Sequence, residues 1–415
     1  MITSLMKNFS TSALGIFVKV GSRFEKKKLK GIAHFTEHML FKGTRKFTHR
    51  AIKREVEGRG GYLNAFTSQE MTGYYAEFLN GNLRITLDIL TDMVGYPLFE
   101  TQEVRKERNV ILEEIKMYND LPHPRSLSLL EKELWQKHPL GEDVIGTVST
   151  VSGITRKDLR SFQNNYYTPS NLVICYVGGF NERKVLDLLK TKIKSRTTKK
   201  PSQSSSPLPA PLKKKKIVTE TKGLDQTHLC LGFRSVSYRS VWRYVVDLIH
   251  VIMGANMSSR LFEEVREARG LCYDISTEAR KYRDSGAFIV HAGLDKRNVI
   301  VALRCILKEM KKITQRIISV SELGRAKDYY LGQLSMHLER PQGRMFYLAD
   351  SYIAQGSIYS FQEVAKIVKS IDRKAIQALA GKIFDFNRIC ISCVGNIDKD
   401  LPGRLDEVVR KEGRR

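Results

Sequence analysis

Two histidines and a glutamate near the start of the chain are spaced for metal chemistry. Gly31–Leu40 reads GIAHFTEHML, so His34, Glu37 and His38 form the pattern H-x-x-E-H. On a helix, residues four apart lie one turn above each other on the same face. Two imidazoles so placed can ligate one divalent ion, and zinc is the expectation when a carboxylate completes the set. Glu37, three residues from His34, reaches a water on that ion. Zinc lowers the pKa of such a water to about 7, and a carboxylate beside it then serves as general base and returns the proton to a leaving amine. The competing reading is two unrelated surface histidines beside a glutamate, because five-residue patterns also arise by chance.

Catalytic zinc usually has three protein ligands and one open position. Gln102–Tyr118 reads as a helix on which Glu107 and Glu114 stand two turns apart on one face, with Glu103 extending the row. Glu113 is rotated about 100° away from Glu114. An acidic row on a helix is by default a solvated face. The apolar run NVILEEI around Glu114 argues instead for a partly buried carboxylate, which calls for a metal or a cation beside it.

The elements that must hold these residues follow from periodicity. Tyr62–Thr67 and Thr72–Leu79 read as strands, and Leu83–Tyr96 and Gln102–Tyr118 as helices. The second half repeats the order, with strands Tyr273–Lys281 and Ala287–Gly293 and helices Val299–Arg316 and Ser321–Leu338. NLVICYVG (Asn171–Gly178) and RICISCVG (Arg388–Gly395) are matching apolar strands 217 positions apart, each preceded by a helix, Arg156–Asn164 and Asp372–Ile383. Between the halves, Ser195–Lys216 is rich in Pro, Ser and Lys and reads as a flexible linker. The expected architecture is α+β: two homologous domains, each a mainly antiparallel sheet with helices packed on one face. Residues 1–194 form the metal-binding domain, 195–216 the linker and 217–415 a second domain without a metal site.

GIAHFTEHMLFKGT, LNAFTSQEMTGYYAE and ERNVILEEI together resemble the catalytic half of the family of pitrilysin, insulin-degrading enzyme and mitochondrial processing peptidase. The likeness covers the first half nearly throughout and extends into the second. It implies a zinc metalloendopeptidase with one Zn2+ per chain, held by His34, His38 and Glu114, with Glu37 activating the zinc-bound water. It makes Glu107 a residue that orients a histidine ligand, and Asn64 and Ala65 part of an edge strand that pairs with the substrate backbone. It also implies an additional strand ahead of the segment at Ser10, where this chain has only a few residues.

A shift of 217 carries His34, Glu37 and His38 onto Val251, Gly254 and Ala255, so the second copy lacks the metal-binding residues. It does contain SSRLFEEVREARGLCYDIS, in which Arg266 and Tyr273 resemble a family arginine–tyrosine pair. The tyrosine there stabilises the oxyanion. An ordinary helix end with a packed tyrosine is the alternative. Half-length members of the family form dimers, either of one chain or with a related subunit. The resemblance therefore implies an enclosed chamber in which Arg266 and Tyr273 act on the partner's site. The substrate would be oligopeptides or unfolded segments.

Composition sets the outer limits. The chain has 415 residues, 42% hydrophobic and 27% charged, which suits two domains with real cores. No apolar run reaches the roughly 20 residues of a membrane span. The net charge of +26 is spread along the chain. It is an odd match to a peptidase selective for basic presequences, and it points to a general oligopeptidase. Lysines concentrate in Lys26–Lys30 and Lys213–Lys216 without an aromatic platform, so nucleic acid is not an expected partner. Cys175, Cys230, Cys272, Cys305, Cys390 and Cys393 are scattered through apolar segments, as expected of reduced thiols in a cytoplasmic protein, with organellar targeting left open. Cys390 and Cys393, three apart on a strand, point to opposite faces. The remaining histidines, His49, His123, His138, His228, His250, His291 and His337, have no ligand-like spacing.

Overall fold

In the computed structural model, residues 1–179, 182–192 and 211–414 are described. Most of the linker expected at 195–216 lies outside them. Two compact units emerge. One comprises Met1–Met117, Glu142–Ser206 and Met336–Ile358, and the other Tyr118–Gly141, Pro207–Ser335 and Tyr359–Arg415.

The first unit is built on a five-stranded sheet of β1 (Ile2–Leu5), β2 (Thr11–Val18), β3 (Tyr62–Thr67), β4 (Thr72–Leu79) and β5 (Leu172–Gly178), in the order β1-β5-β2-β4-β3. β1 runs parallel to β5 and every other pairing is antiparallel. Ahead of Ser10 the sheet includes the four-residue strand β1. The central strand β2, TSALGIFV, is buried from Ser12 to Val18 because both of its faces are covered. Leu14, Ile16 and Val18 join Phe35, Met39, Leu87, Leu90, Leu159 and Phe162 from the helices Ile32–Leu40, Leu83–Gly95 and Arg156–Tyr166. Ala13 and Phe17 face the other way, toward Met345 and Ala349 of the helix Pro341–Gln355.

The second unit repeats this plan with β6 (Lys216–Thr221), β7 (Thr227–Ser235), β8 (Cys272–Lys281), β9 (Gly286–Leu294) and β10 (Cys390–Gly395), in the order β6-β10-β7-β9-β8. β6 runs parallel to β10. Leu229, Leu231, Phe288, Val290 and Ile391 line the larger core with the helices Arg243–Gly254 and Val299–Gln315. Cys230, Ile289 and Cys390 line a smaller one with Leu130, Leu134 and Trp135 of the helix Pro122–Trp135.

Each unit is thus α+β with a mixed, mainly antiparallel sheet. Most of the helices lie on one face, as the sequence implied, and a single helix covers the other. That single helix comes from the opposite half of the sequence: Pro341–Gln355 covers the first sheet and Pro122–Trp135 the second. All six cysteines are free and buried. Cys390 and Cys393 belong to different core clusters, on opposite faces of β10. Among the described residues, no helix is long and apolar enough to cross a membrane.

Candidate metal centre

The helix Ile32–Leu40 buries Ile32, Ala33, Phe35, Thr36, Met39 and Leu40. The three residues it leaves partly open are His34, Glu37 and His38. Their face is fixed because the other six side chains are held in the core. Four side chains of the helix Thr101–Asp120 are buried, Val104, Glu107, Ile111 and Ile115, at spacings of three and four. One of the four is a carboxylate, and its partners explain its burial. Glu107 Oε1 lies 2.9 Å from His38 Nδ1, and Glu107 Oε2 lies 2.5 Å from Lys42 Nζ. Burial alone would raise the pKa of Glu107. The hydrogen bonds and charges of His38 and Lys42 outweigh it and hold the carboxyl below its usual value. An ionised Glu107 only accepts, so His38 donates from Nδ1, and in the neutral imidazole the lone pair is then on Nε2.

That lone pair faces Glu114. Its Oε2 is 3.6 Å from His38 Nε2 and 3.9 Å from His34 Nε2. These gaps are too long for hydrogen bonds. They are close to the ~3.3 Å edge of a tetrahedron of N and O ligands at about 2.0–2.1 Å from a zinc ion. One ligand atom from each of His34, His38 and Glu114 lies within 4.8 Å of the others, and this is the one such set among the described residues. Burial, with His38 beside it, lowers the pKa of His34 to about 3, so its imidazole is neutral and its lone pair available. Burial also lifts Glu114 above the usual carboxylate range. His38 would be lowered by burial, but its bond to Glu107 and the charges around it raise it. The donor set of two imidazoles and a carboxylate, with His38 oriented by an outer carboxylate, fits zinc.

Glu37 stands beside this set. Its Oε2 accepts a 2.6 Å hydrogen bond from Thr67 Oγ1, at the end of β3. Burial raises its pKa despite that bond, which moves the carboxyl toward the range in which it exchanges protons near neutral pH. Two other glutamates of the long helix are engaged elsewhere, Glu103 with Lys106 and Glu113 with Lys116, each at 2.7 Å.

β3 is an edge strand. The N–H of Ala65 donates to Asn64 Oδ1 at 2.8 Å. In the second unit, Tyr273 is the extra residue of a bulge in β8, between the pairs Cys272–Leu294 and Asp274–Gly293, and it is 77% exposed. The Arg266 guanidinium lies 5.5 Å from its ring centre and 4.7 Å from that of Phe262. Arg266 falls in a π-helical turn, Phe262–Glu267. Such irregularities recur where a side chain is re-aimed.

Sequence reading did not identify Lys42, Thr67 or Glu25, the last of which accepts from the first turn of the metal-site helix. Lys42 sits four residues after His38, just past the end of the helix, near enough in sequence to have been noticed. Thr67 and Glu25 come into place through tertiary structure. Three of the histidines without ligand-like spacing are brought together in the second unit. The rings of His123 and His291 stack at 3.8 Å, and His228 Nδ1 is 3.1 Å from His291 Nε2. Stacked rings do not point their lone pairs at a common ion, so this is a packing arrangement.

Comparison with known proteins bears on the family of the chain. Residues 1–148 match the family model for insulinase (peptidase family M16), and residues 153–330 match that for the peptidase M16 inactive domain. The zinc protease YmxG of Bacillus subtilis is 32% identical over 393 residues, covering 93% of this chain and 94% of its own length. A zinc protease of Streptomyces coelicolor is 30% identical over 417 residues, covering 99% of this chain and 90% of its own. A protease structure from Helicobacter pylori superposes with a TM-score of 0.90 at 22% identity, over 95% of this chain and 96% of that one. An M16-like peptidase from Alicyclobacillus acidocaldarius gives 0.83 at 18%, over 94% of both chains. These two structures bear on the fold. With both domains matched in order and relatives aligned over nearly their whole length, the chain belongs to the insulinase family of peptidases, family M16.

Proposed function

We propose that this chain is a zinc metalloendopeptidase that hydrolyses oligopeptides or unfolded segments, with one zinc per chain held by His34, His38 and Glu114. The observation that carries the reading is the convergence of those three ligand atoms within 4.8 Å on a partly open face. The relatives named as zinc proteases support it. A zinc ion there supplies Lewis acidity, polarising a peptide carbonyl and lowering the pKa of water to about 7.

The chain's own residues do the rest. Glu37 takes a proton from the attacking water as its oxygen bonds to the carbonyl carbon. It then delivers that proton to the amine as the C–N bond breaks. Thr67 holds one Glu37 oxygen and leaves the other for this transfer. Glu107 fixes the His38 tautomer. The open edge of β3 at Asn64 and Ala65 takes the substrate backbone as an added strand, which binds peptides with little demand on their sequence. Arg266 and Tyr273 stabilise the developing oxyanion from the partner chain of a dimer, formed with a second copy or a related subunit, whose halves enclose the substrate. The net charge of +26 favours neutral or acidic peptides over basic presequences.

Zinc content and cleavage of a quenched fluorescent peptide library, with wild type beside Glu37→Gln, test the reading. About one zinc per chain and cleavage by wild type are expected, together with a variant that retains zinc and loses at least about 100-fold in kcat, the scale of general-base catalysis. Wild-type protein that binds zinc and cleaves nothing would sink the peptidase reading.

A further inference from the structure

His34 and His38 are held in different ways. The ring of His38 is oriented by Glu107. His34 Nδ1 is buried with no hydrogen-bond partner, so no side chain orients the ring through that atom. The position of His34 depends on the backbone that carries it, the first turn of the helix Ile32–Leu40.

That turn is anchored from outside. A helix leaves its first N–H groups without intrahelical partners, and a side chain just ahead of it commonly caps them. Here the residue at that place is Gly31, which has no side chain and a left-handed φ of 91°. The cap comes instead from Glu25, which is 7% exposed. Its Oε2 accepts from Gly31 N–H at 2.9 Å and its Oε1 from Ala33 N–H at 2.8 Å. Both oxygens bind the backbone immediately before His34. A Cβ on Gly31 would meet the Ile145 carbonyl at 2.5 Å, so this backbone is also pressed against the segment at Ile145–Gly146. The neighbouring Lys30, itself buried, pairs with Glu142 at 2.8 Å.

We propose that Glu25 is a positioning residue for the metal centre: its buried side chain clamps the first turn of the site helix through two backbone N–H groups and so places the His34 ligand without touching the ion. This rests on the metal-centre reading above and deepens it. Glu107 orients one ligand through its ring, and Glu25 places the other through its peptide backbone.

Glu25→Gln keeps the size of the side chain but leaves one acceptor oxygen for two N–H donors. The full-length variant and wild type are compared by zinc affinity in chelator competition and by the visible spectrum of the Co2+-loaded protein. Leu130→Ala, in the second unit, is the control for general destabilisation. The expected result is a loss of about tenfold or more in zinc affinity, with an altered Co2+ spectrum. Glu25→Asp should recover part of both, and Leu130→Ala should lower the melting temperature without moving either. If Glu25→Gln does not fold, the same measurements on Glu25→Asp decide, with a smaller loss expected. Zinc affinity and a Co2+ spectrum equal to wild type in the variant would overturn the proposal, whatever its melting temperature. Wild type that binds no zinc would remove the metal-centre reading and this inference together, a result distinct from the first.

Discussion

Both oxygens of Glu107 are engaged, one with His38 and the other with Lys42. A buried carboxylate so paired stays ionised. Asp350, on the helix Pro341–Gln355, is the opposite case. Its Oδ1 is buried without a partner, and burial pushes its pKa from 3.8 to about 7. The folded state therefore favours the protonated acid. The stability this gives is complete below pH ~4 and is lost as pH rises through about 7. Asp350→Asn, which stays neutral, should match wild type near pH 4 and exceed it above pH 7, by on the order of 2 °C or more in melting temperature. A thermal melt series from pH 4 to 8 checks this, and parallel curves for the two proteins would contradict it. At this scale, the three candidate ligands stood out in the sequence because they share one helix turn or one helix face. Glu25 and Thr67 were not, because folding alone brings them to the backbone of Gly31 and Ala33 and to the side chain of Glu37.

Under the proposed function, β3 joins binding to catalysis. One end holds Glu37 through Thr67, and its free edge carries the N–H of Ala65, which is satisfied by the adjacent Asn64 side chain. A peptide added at that edge would take over the donor. Proline is tolerated on an edge strand where the N–H points away from the sheet. Ala65→Pro should therefore fold and keep its zinc. Its kcat/KM toward unstructured peptides should fall about fivefold, the net worth of one backbone hydrogen bond. Unchanged kcat/KM would remove β3 from substrate binding. The strands and long helices follow the periodicity of the sequence closely, as with TGYYAEFL for β4 and VIVALRCILKEMKKITQ for the helix Val299–Gln315. The bulge at Tyr273 and the π-helical turn at Arg266 do not. Each inserts one residue into a regular pattern, which composition and period do not register.

Duplication was visible in the sequence as two matching series of elements, but which sheet each helix covers was not. A helix's apolar stripe shows that it is buried and leaves its partner unspecified. In each unit the helix on the smaller face comes from the other half: Met345 and Ala349 pack among Ala13, Phe17 and Val173, while Leu130 and Trp135 pack among Cys230 and Ile289. A chain cut once between residues 195 and 210 should therefore elute as one particle in native size exclusion. Residues 1–194 alone should bind a hydrophobic dye at the face that Met345 and Ala349 cover. Two separated, dye-negative halves would refute this. The same exchange bears on ancestry. A single copy of the repeat, before its gene was doubled, would have had one sheet face bare and one helix without a seat. Two identical copies lending each other that helix would each complete the other's sheet. Joining their genes end to end would then preserve every contact, so the fused chain inherits as one polypeptide an arrangement first workable as a partnership of two.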